Sequence, residues 1–184
     1  MCATTSNYYC SLLKLCCEAH NQIQAKKLHC FIIKTIVNPE TFLFNNLISS
    51  YSYLGNFTYA RNVFDQIPQP NQFSWNTILS AYSKSGRLSE MHEIFKGMPK
   101  RDGVSWNSVI SGYASYGSCN EALEIYRLML KNGPVNVNRI TFSTMLILSS
   151  NQGCIDLGKQ IHGQIRKFGF DSYVFVGSPL VDMY

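Results

Sequence analysis

A short sequence pattern recurs along this chain at intervals of 31 to 36 residues. The segments 44–55 (FNNLISSYSYLG), 75–86 (WNTILSAYSKSG) and 106–117 (WNSVISGYASYG) align without gaps, each 31 residues after the one before. Segment 142–153 (FSTMLILSSNQG) follows 36 residues later, and segment 9–20 (YCSLLKLCCEAH) precedes the first by 35 residues. A period of this length is typical of repeat proteins, in which each repeat is one supersecondary unit.

Each segment has the apolar spacing of an α-helix. In the first, Leu47, Ile48, Tyr51 and Leu54 fall on one helical face, and Gly55 follows where a helix end favours left-handed backbone. A second periodic segment comes after each glycine, and in three of the four units it ends near Pro68, Pro99 or Pro134, because proline cannot continue a helix. Neither helix of such a pair can bury its apolar face alone. We therefore expect an all-α, right-handed superhelical solenoid of helix-turn-helix repeats.

The composition agrees with a packed, soluble array. Of the 184 residues 46% are apolar and 15% are charged, and the longest apolar runs fall far short of the roughly 18 residues of a membrane helix. No secretory signal or Arg-rich transit segment is visible, so we expect targeting information to lie outside these residues. The net charge of +5 is spread without a basic block, which is compatible with a polyanion partner and does not require one.

Nothing in the sequence predicts a metal site or catalysis. The seven cysteines are an odd number with no C-x-x-C spacing, which indicates free thiols in a reducing compartment. His92 and Glu93 begin like a zinc-protease motif, but Lys96 stands where the second histidine belongs. No G-x-S-x-G turn or phosphate-binding loop is present. We expect no enzyme activity, cofactor, metal or small-molecule ligand within these residues.

Residues 74–130 (SWNTILSAYSKSGRLSEMHEIFKGMPKRDGVSWNSVISGYASYGSCNEALEIYRLML) and 157–184 (LGKQIHGQIRKFGFDSYVFVGSPLVDMY) resemble the pentatricopeptide repeat proteins of plant organelles. The unequal periods are similar to the subclass that mixes standard, long and short repeats, whereas a tetratricopeptide array would hold near 34 residues. After an N-terminal extension, 1–5, the units are 6–40, 41–71, 72–102, 103–138, 139–173 and a partial 174–184. The resemblance implies a fragment of a longer protein.

The resemblance also implies which residues would contact RNA. In the family the fifth and last residues of a unit read one base, and Asn can donate and accept hydrogen bonds whereas Asp only accepts. The carried-over reading pairs are Asn45 with Asn71, Asn76 with Asp102, and Asn107 with Asn138. In the family an Asn–Asn pair is similar to a cytosine reader and an Asn–Asp pair to a uracil reader. The three units would then favour C-U-C, with tolerance for either pyrimidine.

Two further positions are implied in the same way. The second residue of a unit wedges between neighbouring bases, where an apolar side chain can stack for roughly 1 to 3 kcal/mol. These wedge residues are Phe42, Phe73, Val104 and Ile140. The thirteenth residue often lies near phosphate, and here Lys84 is a lysine at that place. The other units have Glu18, Tyr53, Ser115 and Asn151 there.

The long units match this pattern less well. Cys10 with Glu40, and Ser143 with Tyr173, are not standard reading pairs, and Ser178 is the fifth residue of the partial unit. Asn7 is a polar residue at a wedge place. These units either read bases through unusual pairs or serve as spacers between readers.

Several of these residues also have a purely structural interpretation. The repeated Asn could be a solvated residue or a helix cap. Trp75 and Trp106 stand one residue before the reading Asn, about 100° away around the helix, so we expect them to pack between repeats. His29 and His162 occupy the place of Phe64, Phe95 and Tyr126 in other units. We expect both histidines to pack with a hydrogen-bonded ring nitrogen.

The resemblance implies a protein that binds single-stranded RNA and targets organellar transcripts for RNA modification, most plausibly C-to-U editing with partner proteins. It implies the mitochondrion, with the chloroplast as the alternative. The H-x-E and P-C-x-x-C signature of a deaminase is missing from these residues. The alternative function is a protein-binding helical-repeat scaffold with no nucleic-acid role.

Overall fold

The computed structural model describes residues 3–36, 40–133 and 137–184, with side chains from residue 6 onward. These residues form α-helices joined by short turns and contain no strand, which confirms the expected all-α repeat fold. The helices are α1 (Ala3–Glu18), α2 (Gln22–Thr35), α3 (Thr41–Tyr53), α4 (Phe57–Asp65), α5 (Gln72–Ser85), α6 (Leu88–Gly97), α7 (Gly103–Ser115), α8 (Cys119–Lys131), α9 (Arg139–Asn151), α10 (Ile155–Phe168) and α11 (Val174–Met183).

The odd-numbered helices are the first helices of the hairpins, and five of them begin one residue after the last residue of a unit. Helices α3, α5, α7 and α9 start at residues 41, 72, 103 and 139, and α11 starts at 174. The exception is α1, which starts at Ala3, so residues 3–5 of the expected extension are helical and continuous with the first helix of unit 6–40.

Left-handed backbone separates the two helices of a hairpin. Gly86 ends α5 with φ of 74°, a conformation that lacks steric cost only for glycine. The equivalent residue of the first hairpin is His20, which adopts φ of 48° without that freedom.

Two compact units divide the chain, residues 1–98 and residues 99–184. In the first, α1, α3 and α5 lie side by side, and α2, α4 and α6 pack against them as second helices. The fully buried side chains of this unit include Leu47, Ile48, Tyr51, Ile78 and Leu79. These are the apolar positions that the repeat pattern placed on one helical face.

The second compact unit has the same construction. Helix α9 packs against both α7 and α11, and α8 and α10 cover α7 and α9 as second helices. Val109, Ile110, Phe142, Met145 and Leu146 are fully buried in it. In both units the first helices therefore form one layer and the second helices another.

The described residues contain no helix that is long and apolar enough to cross a membrane. Across the same residues no group of three His, Cys, Asp or Glu side chains could hold a metal ion. The six cysteines with described side chains are free thiols. Cys2 lies outside the described residues.

Candidate nucleic-acid interface

The wedge residues are exposed although they are apolar and lie on well-packed helices. Each is the second residue of a first helix, and the exposed fractions are 51% for Phe42, 65% for Phe73, 58% for Val104 and 46% for Ile140. The next residues of these helices, Leu43, Ser74, Ser105 and Thr141, are buried. Each of these four first helices thus presents an exposed apolar side chain at its second residue.

The fifth residue lies one helical turn after the wedge residue and is far less exposed. Asn45 is 3% exposed and Asn107 is 8% exposed, and Asn76 is half-buried. In the described part of the chain no hydrogen-bond partner reaches Asn45 Oδ1. Each of these three amide side chains therefore lies one helical turn from an exposed wedge residue and is itself largely shielded from solvent.

The last residue of each unit is the N-cap of the first helix that follows. Asn71 Oδ1 accepts from the backbone N–H of Ser74 at 2.9 Å and from its hydroxyl at 3.0 Å. Asp102 Oδ1 accepts from the backbone N–H of Ser105 at 2.8 Å. The Ser105 hydroxyl completes a capping box by accepting from the Asp102 N–H at 3.0 Å.

This capping role was missed in the sequence, although a local signal was present. Asn71, Asp102 and Asn138 each have Ser or Thr three residues later, a spacing that satisfies helix N-terminal N–H groups. Glu40 and Tyr173 hold the same N-cap place without a side-chain cap bond. The polar reading residues are thus anchored by the helix they precede.

One reading pair is brought into direct contact. Asn107 Nδ2 donates to Asn138 Oδ1 at 3.2 Å, across 31 residues of sequence. Asn45 and Asn71 both belong to the first compact unit, whereas Asn76 and Asp102 belong to different units.

The residues of the long units lie in varied surroundings. Cys10 is half-buried, and burial raises the pKa of its thiol. Glu40 is exposed and accepts from the Ser6 hydroxyl at 3.5 Å. Ser143 is buried, whereas Tyr173 and Ser178 are exposed. No two of these residues form a bonded pair like Asn107 and Asn138 in the described structure.

A concave cleft of about 650 Å³ lies between α1 and α3. Asn7 and Cys10, the second and fifth residues of unit 6–40, line one side, and Asn46 and Tyr53 line the other. His20 stacks on Tyr53 with ring centroids 5.5 Å apart and an interplanar angle of 22°. The first helices α1 and α3 thus leave an open cleft between them.

The thirteenth residues are exposed at the far end of the first helices. Lys84 is the cation among them, and Glu18, Tyr53, Ser115 and Asn151 are exposed at the equivalent places. Lys84 and Glu18 are the charged residues at these five places, and they are opposite in sign.

The tryptophans lie on the buried side of the first helices. Trp106 is buried, and Trp75 is half-buried with its ring 4.8 Å from that of Phe64 in the preceding hairpin. Phe44 and Phe142 are buried at the same place. The contact with Phe64 confirms that Trp75 packs between repeats, and burial keeps Trp106, Phe44 and Phe142 away from the exposed face.

The family model described as PPR repeat matches residues 42–69, 73–102 and 104–134. A pentatricopeptide repeat-containing protein of Arabidopsis thaliana is 60% identical over 182 residues, which is 97% of this chain and 24% of that protein. The chain belongs to the pentatricopeptide repeat family. It spans about a quarter of the length of the curated relatives it matches. Shorter matches at 51% and 49% identity, each over 47 residues and 26% of this chain, are to Arabidopsis pentatricopeptide repeat proteins named mitochondrial and chloroplastic.

Solved structures of pentatricopeptide repeat proteins share this fold. The crystal structure of PPR10, a maize protein, in complex with an 18-nucleotide psaJ RNA element superimposes with a TM-score of 0.73. The sequences are 21% identical, and the match covers 96% of this chain and 27% of PPR10.

Proposed function

We propose that this chain binds single-stranded RNA along the exposed face of its first helices, with one base for each unit. The observation that carries the proposal is the repeated exposure of Phe42, Phe73, Val104 and Ile140 beside buried amides. An exposed apolar group one helical turn from a hydrogen-bonding group offers both interactions that a single-stranded base can make.

Stacking and base-edge hydrogen bonds contribute differently to recognition. The wedge residues stack on base faces and are tolerant of sequence, because every base has a π-face. The reading residues contact base edges, where amides and carboxylates distinguish donors from acceptors. Asn45 with Asn71 favours cytosine, Asn76 with Asp102 favours uracil, and Asn107 with Asn138 favours cytosine, which together give C-U-C.

The other reading and phosphate positions are part of the same proposal. Lys84 lies near an RNA phosphate, and the long units either read through Cys10 with Glu40 and Ser143 with Tyr173 or act as spacers. The neighbour PPR10, which has the same fold, holds an 18-nucleotide RNA element in its crystal structure. That complex supports RNA as the ligand of this face.

The cellular role follows from the repeat lengths and the relatives. We propose that the protein acts on organellar transcripts, in the mitochondrion or alternatively the chloroplast, and directs C-to-U editing. The mixture of 31-, 35- and 36-residue units supports editing, and the relatives named mitochondrial and chloroplastic support an organelle. The deaminase would be supplied from outside these 184 residues, by a partner protein or by another part of the protein.

The proposal is tested by selecting RNA from a randomised single-stranded pool with the full chain at low salt. Enrichment of C-U-C, together with affinity that falls with salt at a slope of about −0.7 per phosphate contact, is the expected result. Circular dichroism first establishes that the chain is folded and helical. The contrary result is a folded chain that enriches no RNA sequence and that selects a peptide from a library with an affinity independent of salt. That result would indicate a protein-binding scaffold.

A further inference from the structure

Thr141 is a buried hydroxyl that joins two reading residues of the preceding unit. It is the third residue of unit 139–173, lies in the first turn of α9 and has no exposed surface. Its Oγ1 accepts from the backbone N–H of Asn138 at 3.2 Å and donates to Asn107 Oδ1 at 2.7 Å. Asn138 Oδ1 lies 3.4 Å from the same hydroxyl, but the 2.7 Å contact with Asn107 Oδ1 is much the shorter, and the single hydroxyl proton is therefore directed at Asn107.

The N-cap geometry determines which atom of the Asn138 amide is oxygen. Backbone N–H groups of Ile140 and Thr141 point at Asn138 Oδ1 from 2.9 and 3.2 Å, and only an oxygen can accept from them. Asn107 Nδ2 donates to the same oxygen at 3.2 Å. The Nδ2 group of Asn138 is consequently turned away from the helix end.

The hydrogen bonds among Asn107, Asn138 and Thr141 use the amide oxygens and leave mainly N–H donors for a ligand. Asn138 Oδ1 is occupied by three N–H groups, and Asn107 Oδ1 holds the Thr141 hydroxyl. The hydrogens that remain are one on Asn107 Nδ2 and both on Asn138 Nδ2. Two neighbouring donors match a base edge with two neighbouring acceptors, which cytosine offers at N3 and O2 and uracil does not.

We propose that Thr141 is a positioning residue that locks the Asn107 amide as a donor, and that it thereby sets the preference of unit 103–138 for cytosine over uracil. The inference rests on the proposed RNA-binding function. Thr141 itself touches no base, because it is fully buried.

The same place in unit 72–102 shows what happens without this lock. Ser74 is equally buried, but its hydroxyl donates to Asn71 Oδ1 at 3.0 Å and does not reach the preceding fifth residue. Asn45 Oδ1 has no partner among the described residues. The Asn45 amide can therefore offer either its oxygen or its nitrogen. Two units with the same Asn–Asn pair should differ in selectivity because their neighbours differ at the third residue.

The test uses the full chain and RNAs that carry C or U at the single base facing unit 103–138 or unit 41–71. The affinity ratio of C to U should be larger at unit 103–138 in the wild-type chain. Thr141→Val is isosteric and should lower that ratio about three- to tenfold, the usual weight of one hydrogen bond, while the ratio at unit 41–71 stays unchanged. Thr141→Ser keeps the hydroxyl and should restore the ratio to within about twofold of wild type.

Ser149→Ala is the matched control, since it removes another buried hydroxyl of α9, which donates to the Cys154 carbonyl at 2.7 Å far from the reading pair. It should cost stability and leave both ratios unchanged. A folded Thr141→Val chain with the wild-type ratio overturns the positioning role alone. A wild-type chain without base preference at either unit overturns the proposed function as well.

If Thr141→Val does not fold, NMR of the wild-type chain tests the orientation of the Asn107 amide directly. In the free wild-type chain, NOEs should show the Asn107 amide in a single orientation, with its Nδ2 hydrogens towards Asn138 and not towards the Thr141 hydroxyl. NOEs that show the Asn107 amide in both orientations overturn the proposal.

Discussion

His29 Nδ1 lies 2.9 Å from the Tyr51 hydroxyl, and His162 Nδ1 lies 3.1 Å from the hydroxyl of Tyr184. Both pairs span 22 residues and begin on the second helix of a long unit; Tyr51 lies in the next first helix, α3, and Tyr184 directly follows the next first helix, α11. This confirms that these histidines pack with a hydrogen-bonded nitrogen. The pair is thus a repeated inter-hairpin contact of the long units, where other units place Phe64, Phe95 or Tyr126.

Burial lowers the pKa of His29, and this makes stability depend on pH. The folded chain keeps the ring neutral, whereas the unfolded chain protonates it below about pH 6.5. Stability should therefore fall as the pH drops through the window between the unfolded and the folded pKa, by up to about 1.4 kcal/mol for each pH unit. Urea unfolding at pH 7.5, 6.0 and 5.0 measures the effect.

His29→Phe provides the control for this titration, because phenylalanine occupies the equivalent place in two other units. It should flatten the pH dependence in that window. A slope that is the same in His29→Phe as in the wild-type chain would assign the titration to another group.

Asn138→Asp should change the selected base without weakening the fold. Aspartate is as good an N-cap as asparagine, so the bonds from Ile140 and Thr141 to the cap are kept. The outward Nδ2 donor becomes an acceptor, and the preference at unit 103–138 should move from cytosine towards uracil. Thermal unfolding measures the stability of the variant, and competition between C- and U-bearing RNAs measures its base preference. A retained cytosine preference would contradict the assignment of Asn138 as a reading residue.

Phe73→Ala should weaken RNA binding and hardly affect stability. The ring is 65% exposed, so little packing is lost, whereas a stacked base contributes about 1 to 3 kcal/mol. Leu128→Ala is the control, since Leu128 is also exposed but lies on the second helix α8. Equal loss of affinity in both variants would mean that the RNA does not follow the first helices.

Asn76→Thr should shift the preference of unit 72–102 from uracil towards guanine, because Thr with Asp resembles the guanine pair of the family. Selection from a pool randomised at that single base measures the change. An unchanged base would refute the assignment of Asn76 and Asp102. A change at every position would indicate damage to the fold.

Much of the candidate interface follows from the sequence, because its positions recur within a helix. The second and fifth residues of a unit are one turn apart, so their common face follows from helical geometry alone. The N-caps could also have been found, since Asn71 and Asp102 are followed by a serine at the capping distance. The direct bond between Asn107 and Asn138 could not, because it depends on how two hairpins pack.

The amino-acid sequence by itself determined the helices, their ends and the repeat, because apolar periodicity, left-handed glycines and prolines act over a few residues. Only the tertiary structure decided how the reading amides are oriented. The two Asn–Asn pairs look equivalent in sequence, yet Thr141 bonds to Asn107 whereas Ser74 bonds to Asn71. Hydrogen-bond direction depends on distances of a few tenths of an ångström between hairpins, and no local pattern encodes them.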